Sequence, residues 1–241
     1  MTSIPFDKIF PDAYGANLSF ITSKESIKQV CQLLRQEYPL DFLGNKRNPL
    51  DEYLYITLSL RTHEKGLKAA YGAFKQRFPS WKIAYQASKK EIGKAIVCGG
   101  LSKQKAANIK TALGQIHDRF GEVSLRELRR MDRNEAEAFL LTLPGVGLKS
   151  ARCIMMYSLG YLVLPVDTHV ARISCRLGWV KKADSDSIHD QLEQLVEPKM
   201  RFSFHVCCVQ HGRLVCRGKY PKCEECCLAR LCKKVSTCNQ N

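Results

Sequence analysis

No stretch of this sequence is built to cross a membrane. A spanning helix needs roughly 20 consecutive apolar residues. The longest candidate, Cys153 to Val166, is shorter and carries Ser158, Gly160 and Pro165. The opening MTSIPFDKIF has no basic segment followed by an apolar one, so no secretory signal is expected. The expectation is a soluble, intracellular protein with no membrane partner, in the cytoplasm or nucleoid if the source is prokaryotic. Strand signals are missing too: there are no alternating β-branched runs and no Asn-Gly hairpins. Acidic residues are scarce beside basic ones, 23 Asp and Glu against 38 Lys and Arg, for a formal net charge of +15. Such a balance points to a polyanionic partner and to fast, salt-sensitive association. Nucleic acid and anionic membrane surfaces compete for that role, and nucleic acid is the expectation.

What is present reads as helix. Ser23 is placed to cap a helix with Ile27, Val30, Cys31 and Leu34 on one face. DFLGNKRNP, residues 41–49, is a linker. Asn48-Pro49 then supplies a cap and a proline at the first helical position, and that helix runs through Leu54, Ile56, Leu58 and Leu60, nearly buried. Further helices are expected at about 64–78, 81–87 and 88–97, and from a Ser102 cap to about 120, stopped by Gly121. Ser124 with Glu127, and Asp132 with Glu135, have the spacing of capping boxes. A helix from Asp167 to about Leu177, one from Asp186 or Ser187 to Pro198, and one over about 200–215 complete the reading. The fold class is all-α, a compact helical array.

One stretch, residues 143–173, LPGVGLKSARCIMMYSLGYLVLPVDTHVARI, organises the chain. Leu143-Pro144-Gly145-Val146-Gly147 reads as a tight hairpin between helices, and glycine there lets another backbone approach closely. The bare N–H groups at the next helix start suit phosphate, although an ordinary αα-turn would look the same. Lys149 falls in the first turn of that helix, where the dipole disfavours a cation. That placement predicts a lowered pKa and a larger free-amine fraction, as a nucleophilic lysine needs. Asp167 follows the turn at Pro165 and reads as a helix cap or as a catalytic carboxylate.

Twelve cysteines without a secretory signal argue for metal or reduced thiols rather than disulfides. Cys216, Cys223, Cys226 and Cys232 lie in one short C-terminal loop and can reach one centre. Thiolates suit zinc or an iron–sulfur cluster. Cys31, Cys98, Cys153, Cys175, Cys207 and Cys208 read as small buried hydrophobes, and Cys238 as a spare thiol in the tail.

LPGVGLKSA followed by PVDTHVARI resembles the helix-hairpin-helix DNA glycosylase superfamily, in its endonuclease III branch. The resemblance covers roughly residues 50 to 235 and is strongest from 140 onward. It implies that Lys149 is the nucleophile, Asp167 the essential carboxylate, and the hairpin, with Leu143, Gly145, Val146 and Gly147, the grip on the DNA backbone. The cysteine spacing matches the family's [4Fe–4S] loop, which implies a cluster on Cys216, Cys223, Cys226 and Cys232, with Cys226 rather than its neighbour Cys227 as ligand. Arg217, Lys219 and Lys222 on that loop would then meet DNA phosphates.

The implied activity is a bifunctional glycosylase and abasic-site lyase. It would act as a monomer on double-stranded DNA containing a damaged or modified base, most simply an oxidised pyrimidine, or an abasic site. Alternatives within the superfamily are a 5-methylcytosine glycosylase, to which RLGWV in particular is similar, or a mainly abasic-site enzyme. A non-catalytic DNA-binding relative is the competing class. The implied fold has two lobes: a helical barrel over 51–161, and a cluster lobe combining 162–241, with its loop at 216–232, and the N-terminal arm and helix of 1–50.

One departure stands out. Family members usually carry Leu-Ser-Ala-Gln at the end of the buried helix, and the glutamine fills the gap left by a flipped nucleotide. This chain reads Leu58-Ser59-Leu60-Arg61. Arg61 is expected to fill the gap and contact the orphaned base, or else to serve as a phosphate contact or a surface ion-pair arginine.

Overall fold

The computed structural model describes residues 24–180 and 185–233; Ser23 and Cys238 lie outside them. Among the described residues the regular structure is entirely helical, with no strand. No helix among them is long and apolar enough to cross a membrane.

Local chemistry sets many of the helix ends. α1 (Lys24–Glu37) is strongly amphipathic and buries Ile27, Val30, Cys31 and Leu34. α2 (Pro49–Ser59) starts where the Asn48 side chain accepts from the amides of Leu50 and Asp51. Its C-terminal neighbour Leu60 is exposed, against the expectation of burial. α3 (Glu64–Arg77) is capped by the His63 ring, and α4 (Trp81–Gln86) by Ser80. Ser88 and Glu91 form a complete capping box at α5 (Lys89–Ala95).

Other expected caps fail. α6 (Ser102–Phe120) begins at Ser102 itself, after Leu101 in the left-handed region, with no side-chain cap; Gly121 at φ 73° ends it as expected. Ser124 accepts only from the Arg126 amide and leads into a 3-10 turn, not a capped α-helix. α7 (Arg133–Thr142) has Asp132 as its cap through Asn134 N. α8 (Leu148–Ile154) runs on into a π-helical turn, Met155–Leu159, which the sequence does not announce. Such turns cluster at functional sites. α9 (Thr168–Leu177), α10 (Ser185–Leu195) and α11 (Arg201–Leu214) finish the array. α10 starts a residue or two before the expected Asp186 or Ser187.

The buried side chains fall into two cores. One joins α2 to α8 and the π-turn, with Tyr53, Leu54, Phe74, Ile109, Leu113 and Ile154 at its heart. The other joins α1 to α9, α10 and α11, with Leu34, Val170, Ile173, Leu192, Phe204 and Cys208. α11 serves both, since Val206 belongs to the first core and Phe204 to the second.

A buried ionic cluster ties the two. Arg152 of α8 reaches Glu137 of α7 at 2.9 Å and Asp190 and Glu193 of α10 at 3.2 and 3.6 Å. Glu193 also meets Arg133 at 2.5 Å and Arg201 at 3.7 Å, and accepts from Leu164 N at 2.7 Å.

Candidate active site

The hairpin is a turn over Leu143–Gly147 between α7 and α8. Val146 N donates to Leu143 O at 3.1 Å, and the Tyr53 hydroxyl donates to Pro144 O and Asn108 O, each at 3.2 Å. Gly145 is required by the chain itself: its φ is 81°, and a Cβ there would stand 2.9 Å from Asn108 Nδ2. Gly147 is exposed, and a Cβ there would meet nothing within 4 Å. The Leu143 and Val146 side chains are buried, so any contact they make with an outside partner runs through their backbone.

Lys149 is the second residue of α8. Its surface is exposed, yet protein closely surrounds the amine. The expected lowering of its pKa is reversed: the amine is held above the ordinary lysine value. The Cys153 thiolate, one turn on, is the largest cause; burial pulls downward, and Asp167 and Glu52 pull upward again. Burial pushes the Cys153 thiol itself up to about 11, so at neutral pH its attraction is switched off. Asp167 and Glu52 then keep the amine charged. Nearby carboxylates outweigh the dipole of so short a helix.

Asp167 caps α9, with its Oδ1 accepting from His169 N and Val170 N, both at 2.9 Å. The Asp167 charge acts on Lys149 and on His205, so α8 and the start of α9 converge on one site. His205 of α11 is buried, with Nδ1 2.9 Å from Pro165 O. Burial, the largest cause, lowers its pKa to about 4, against the pull of Asp167. It is a neutral ring at this site. His169 is structural: its Nδ1 lies 2.9 Å from Arg172 Nη2, and its ring packs where a Gly212 side chain would stand.

Glu52 completes the group from α2. It has no exposed surface. Its Oε2 accepts from Lys46 N at 2.5 Å, while Oε1 is buried without a partner. Burial, only partly offset by the Lys46 amide and by Lys149, lifts its carboxyl to about 7. Sequence reading missed Glu52, His205 and the Tyr157 ring that packs edge-on to His205 at 5.8 Å. Nothing local singled out Glu52, which follows Asp51 in the first turn of α2.

Cys216, Cys223, Cys226 and Cys232 line one pocket with Arg176, Val215, Pro221 and Lys222. Arg176 Nη1 donates to Cys216 Sγ at 3.0 Å and to Arg217 O at 2.8 Å. Cys226 Sγ lies 3.4 Å from His211 Nε2, whose Nδ1 meets the Tyr38 hydroxyl at 2.8 Å. The donor set fits a negatively charged thiolate cluster: four soft ligands with two cations and no carboxylate at the wall. Arg217, Lys219 and Lys222 are all exposed on this loop, although Lys222 is paired with Glu225 at 2.9 Å. Cys31, Cys153, Cys207 and Cys208 are buried as expected, whereas Cys98 and Cys175 are exposed.

Arg61 is exposed just beyond α2, at a left-handed φ of 50°. Its loop is pinned from below by Lys105, a buried cation whose Nζ donates to Leu58 O, Thr62 Oγ1 and Gly99 O at 2.8, 2.6 and 2.9 Å. The structure therefore groups Lys149 with Asp167, and the four cysteines with one another. Arg61 stands on a separate exposed loop.

A family model described as HhH-GPD superfamily base excision DNA repair protein matches residues 56–198. The chain is 33% identical over 220 residues to an endonuclease III of Synechocystis sp., an alignment covering 88% of this chain and 93% of that protein. It is 34% identical over 166 residues to a putative DNA glycosylase of Arabidopsis thaliana, covering 68% of this chain and 57% of that protein. The chain thus spans just over half the length of the plant relative. In fold it is similar to the protein of a non-covalent endonuclease III–DNA complex, with a TM-score of 0.76 at 24% identity, covering 91% of this chain and 99% of that one.

Proposed function

This chain belongs to the HhH-GPD superfamily of base excision DNA repair proteins and is endonuclease III-like within it, and from that premise we propose that it is a DNA glycosylase with abasic-site lyase activity. The observation that carries the reading is the meeting of Lys149, exposed at a helix start behind the hairpin, with the capping carboxylate Asp167.

The substrate is double-stranded DNA with a damaged base, and oxidised pyrimidine is our first choice of lesion. A base in the stack hides its glycosidic bond, so the nucleotide is rotated out, most cheaply at a damaged pair. Lys149 Nζ attacks the sugar C1′ as the base leaves, and the resulting Schiff base allows β-elimination of the 3′ phosphate. Asp167 sits opposite the charge that develops on the sugar and stabilises it. The Gly147 face of the hairpin, where the protein leaves open space, lets a phosphate backbone approach.

Arg61 is proposed to fill the vacated position in the duplex. Its exposed placement on a loop anchored by Lys105 supports a contact with DNA. Cys216, Cys223, Cys226 and Cys232 are proposed to hold a [4Fe–4S] cluster, which fixes the loop carrying Arg217, Lys219 and Lys222 on the DNA backbone.

Borohydride trapping on abasic duplex DNA tests the chemistry. The wild-type protein gives a covalent adduct and Lys149→Ala gives none; an equal yield from the variant would remove Lys149 from its role. Arg61→Ala should lose trapping on a paired lesion far more than on single-stranded abasic DNA, and equal losses on both would return Arg61 to a phosphate contact. Anaerobically prepared protein should be brown, with about four irons per chain; one zinc per chain would sink the cluster assignment.

A further inference from the structure

Glu52 brings into the interior a charge that the fold does not compensate. Its one recorded hydrogen bond is from Lys46 N to Oε2, and Oε1 is buried with no partner. The groups facing it come from every neighbouring element. Lys46 lies in the preceding loop, Tyr55 on α2, Tyr71 on α3, Lys149 and Cys153 on α8, and Tyr157 in the π-turn. α6 adds Lys105, but its amine is committed at the far end of α2. Lys149 and Lys46 are the cations that act on Glu52.

We propose that Glu52 is a positioning residue for the reaction, the acceptor that takes the proton Lys149 must lose before it attacks. This rests on reading Lys149 as the nucleophile. One N–H bond at Lys149 Nζ breaks and one O–H bond at Glu52 Oε1 forms. An ammonium and a carboxylate become an amine and a carboxylic acid, the pair stays neutral overall, and no co-reactant is needed. Cys153, on the same helix as Lys149, is coupled electrostatically to both Lys149 and Glu52.

Three physical points favour Glu52 over Asp167 as acceptor. An unpaired buried carboxylate is costly, so taking a proton relieves it. Its carboxyl lies at about 7, and a group that titrates near working pH takes and returns protons best. Asp167 Oδ1 is already engaged by two amides, whereas Glu52 Oε1 has no partner.

The test uses Glu52→Gln, which keeps the size and the acceptor for Lys46 N but cannot take the proton. The single-turnover rate of borohydride-trapped adduct formation on abasic duplex DNA is followed from pH 5.5 to 9, with melting temperature and affinity for an uncleavable duplex as controls. In the wild type the rate rises through about pH 7 as Glu52 ionises. In Glu52→Gln we expect a loss of about tenfold or more at pH 7, disappearance of that rise, and unchanged DNA affinity. Glu52→Asp should keep the rise and recover part of the rate, and it serves alone if the glutamine variant does not fold. A glutamine variant that keeps the rise, at any rate, overturns the proposal, as does an aspartate variant without it. A wild type that yields no adduct overturns the nucleophile reading and this proposal with it, so the two failures are distinct.

Discussion

Glu193 and Glu52 are both interior carboxylates, and the chain treats them in opposite ways. Glu193 has Arg133, Arg152 and Arg201 within ion-pair distance and the Leu164 amide on Oε1. Glu52 has a single backbone amide and an oxygen with no partner. The first arrangement is over-supplied with positive charge and joins two cores, so it holds shape. The second is under-supplied and stands beside an exposed lysine, so its ionisation is free to change. A strongly shifted carboxyl next to such a group marks chemistry more often than structure.

The sharpest way to break this comparison is to remove Glu193. Glu193→Ala leaves Arg152 and Arg201 buried without their shared partner, and losing one member of a buried ion pair costs about 3–5 kcal/mol. Chemical denaturation should show that loss at any pH from 6 to 9; a loss under about 1 kcal/mol would erase the distinction.

Glu52→Gln should act in the other direction. The folded protein raises this carboxyl from 4.5 to about 7, so it binds the proton more tightly folded than unfolded. The stability this confers is complete below pH 4.5 and is lost as pH rises to about 7. The neutral glutamine escapes the loss, so the variant should match wild type at pH 4.5 and exceed it by roughly 3 kcal/mol above pH 7, at about 1.4 kcal/mol per unit. A constant difference across that range would mean that Glu52 does not titrate in it.

The smallest effect belongs to Arg133, whose side chain is 39% exposed where it meets Glu193. Arg133→Met should cost less than about 1 kcal/mol, as exposed partners do. A larger cost would make the joint depend on its rim as much as on Arg152.

How much of this was legible in the sequence follows from how local each cause is. Asn48, Ser88 and Asp167 were readable as caps because each bonds amides within three residues. The hairpin was readable because Gly145 must adopt a positive φ. Ser102 and Ser124 misled because the left-handed Leu101 and a 3-10 turn set those ends instead. The direction of the Lys149 shift was misjudged because it depends on the thiol of Cys153 one turn on, and on Asp167 and Glu52 from other segments, which helix position alone does not show. Glu52 itself looked like an ordinary acid in a first turn, where acids are welcome. Only packing against α8 and the π-turn reveals what it faces.

α9 has a consequence of its own. Its cap is Asp167, and farther along Arg172 donates to Cys216 O and Gly212 O while Arg176 holds Cys216 Sγ and Arg217 O. The helix has ten residues, about 15 Å of stiff rod. The Asp167 carboxylate and the cysteine loop are therefore mounted on opposite ends of one short rod, so a change that shifts the Arg172 or Arg176 contacts is carried along α9 to the site.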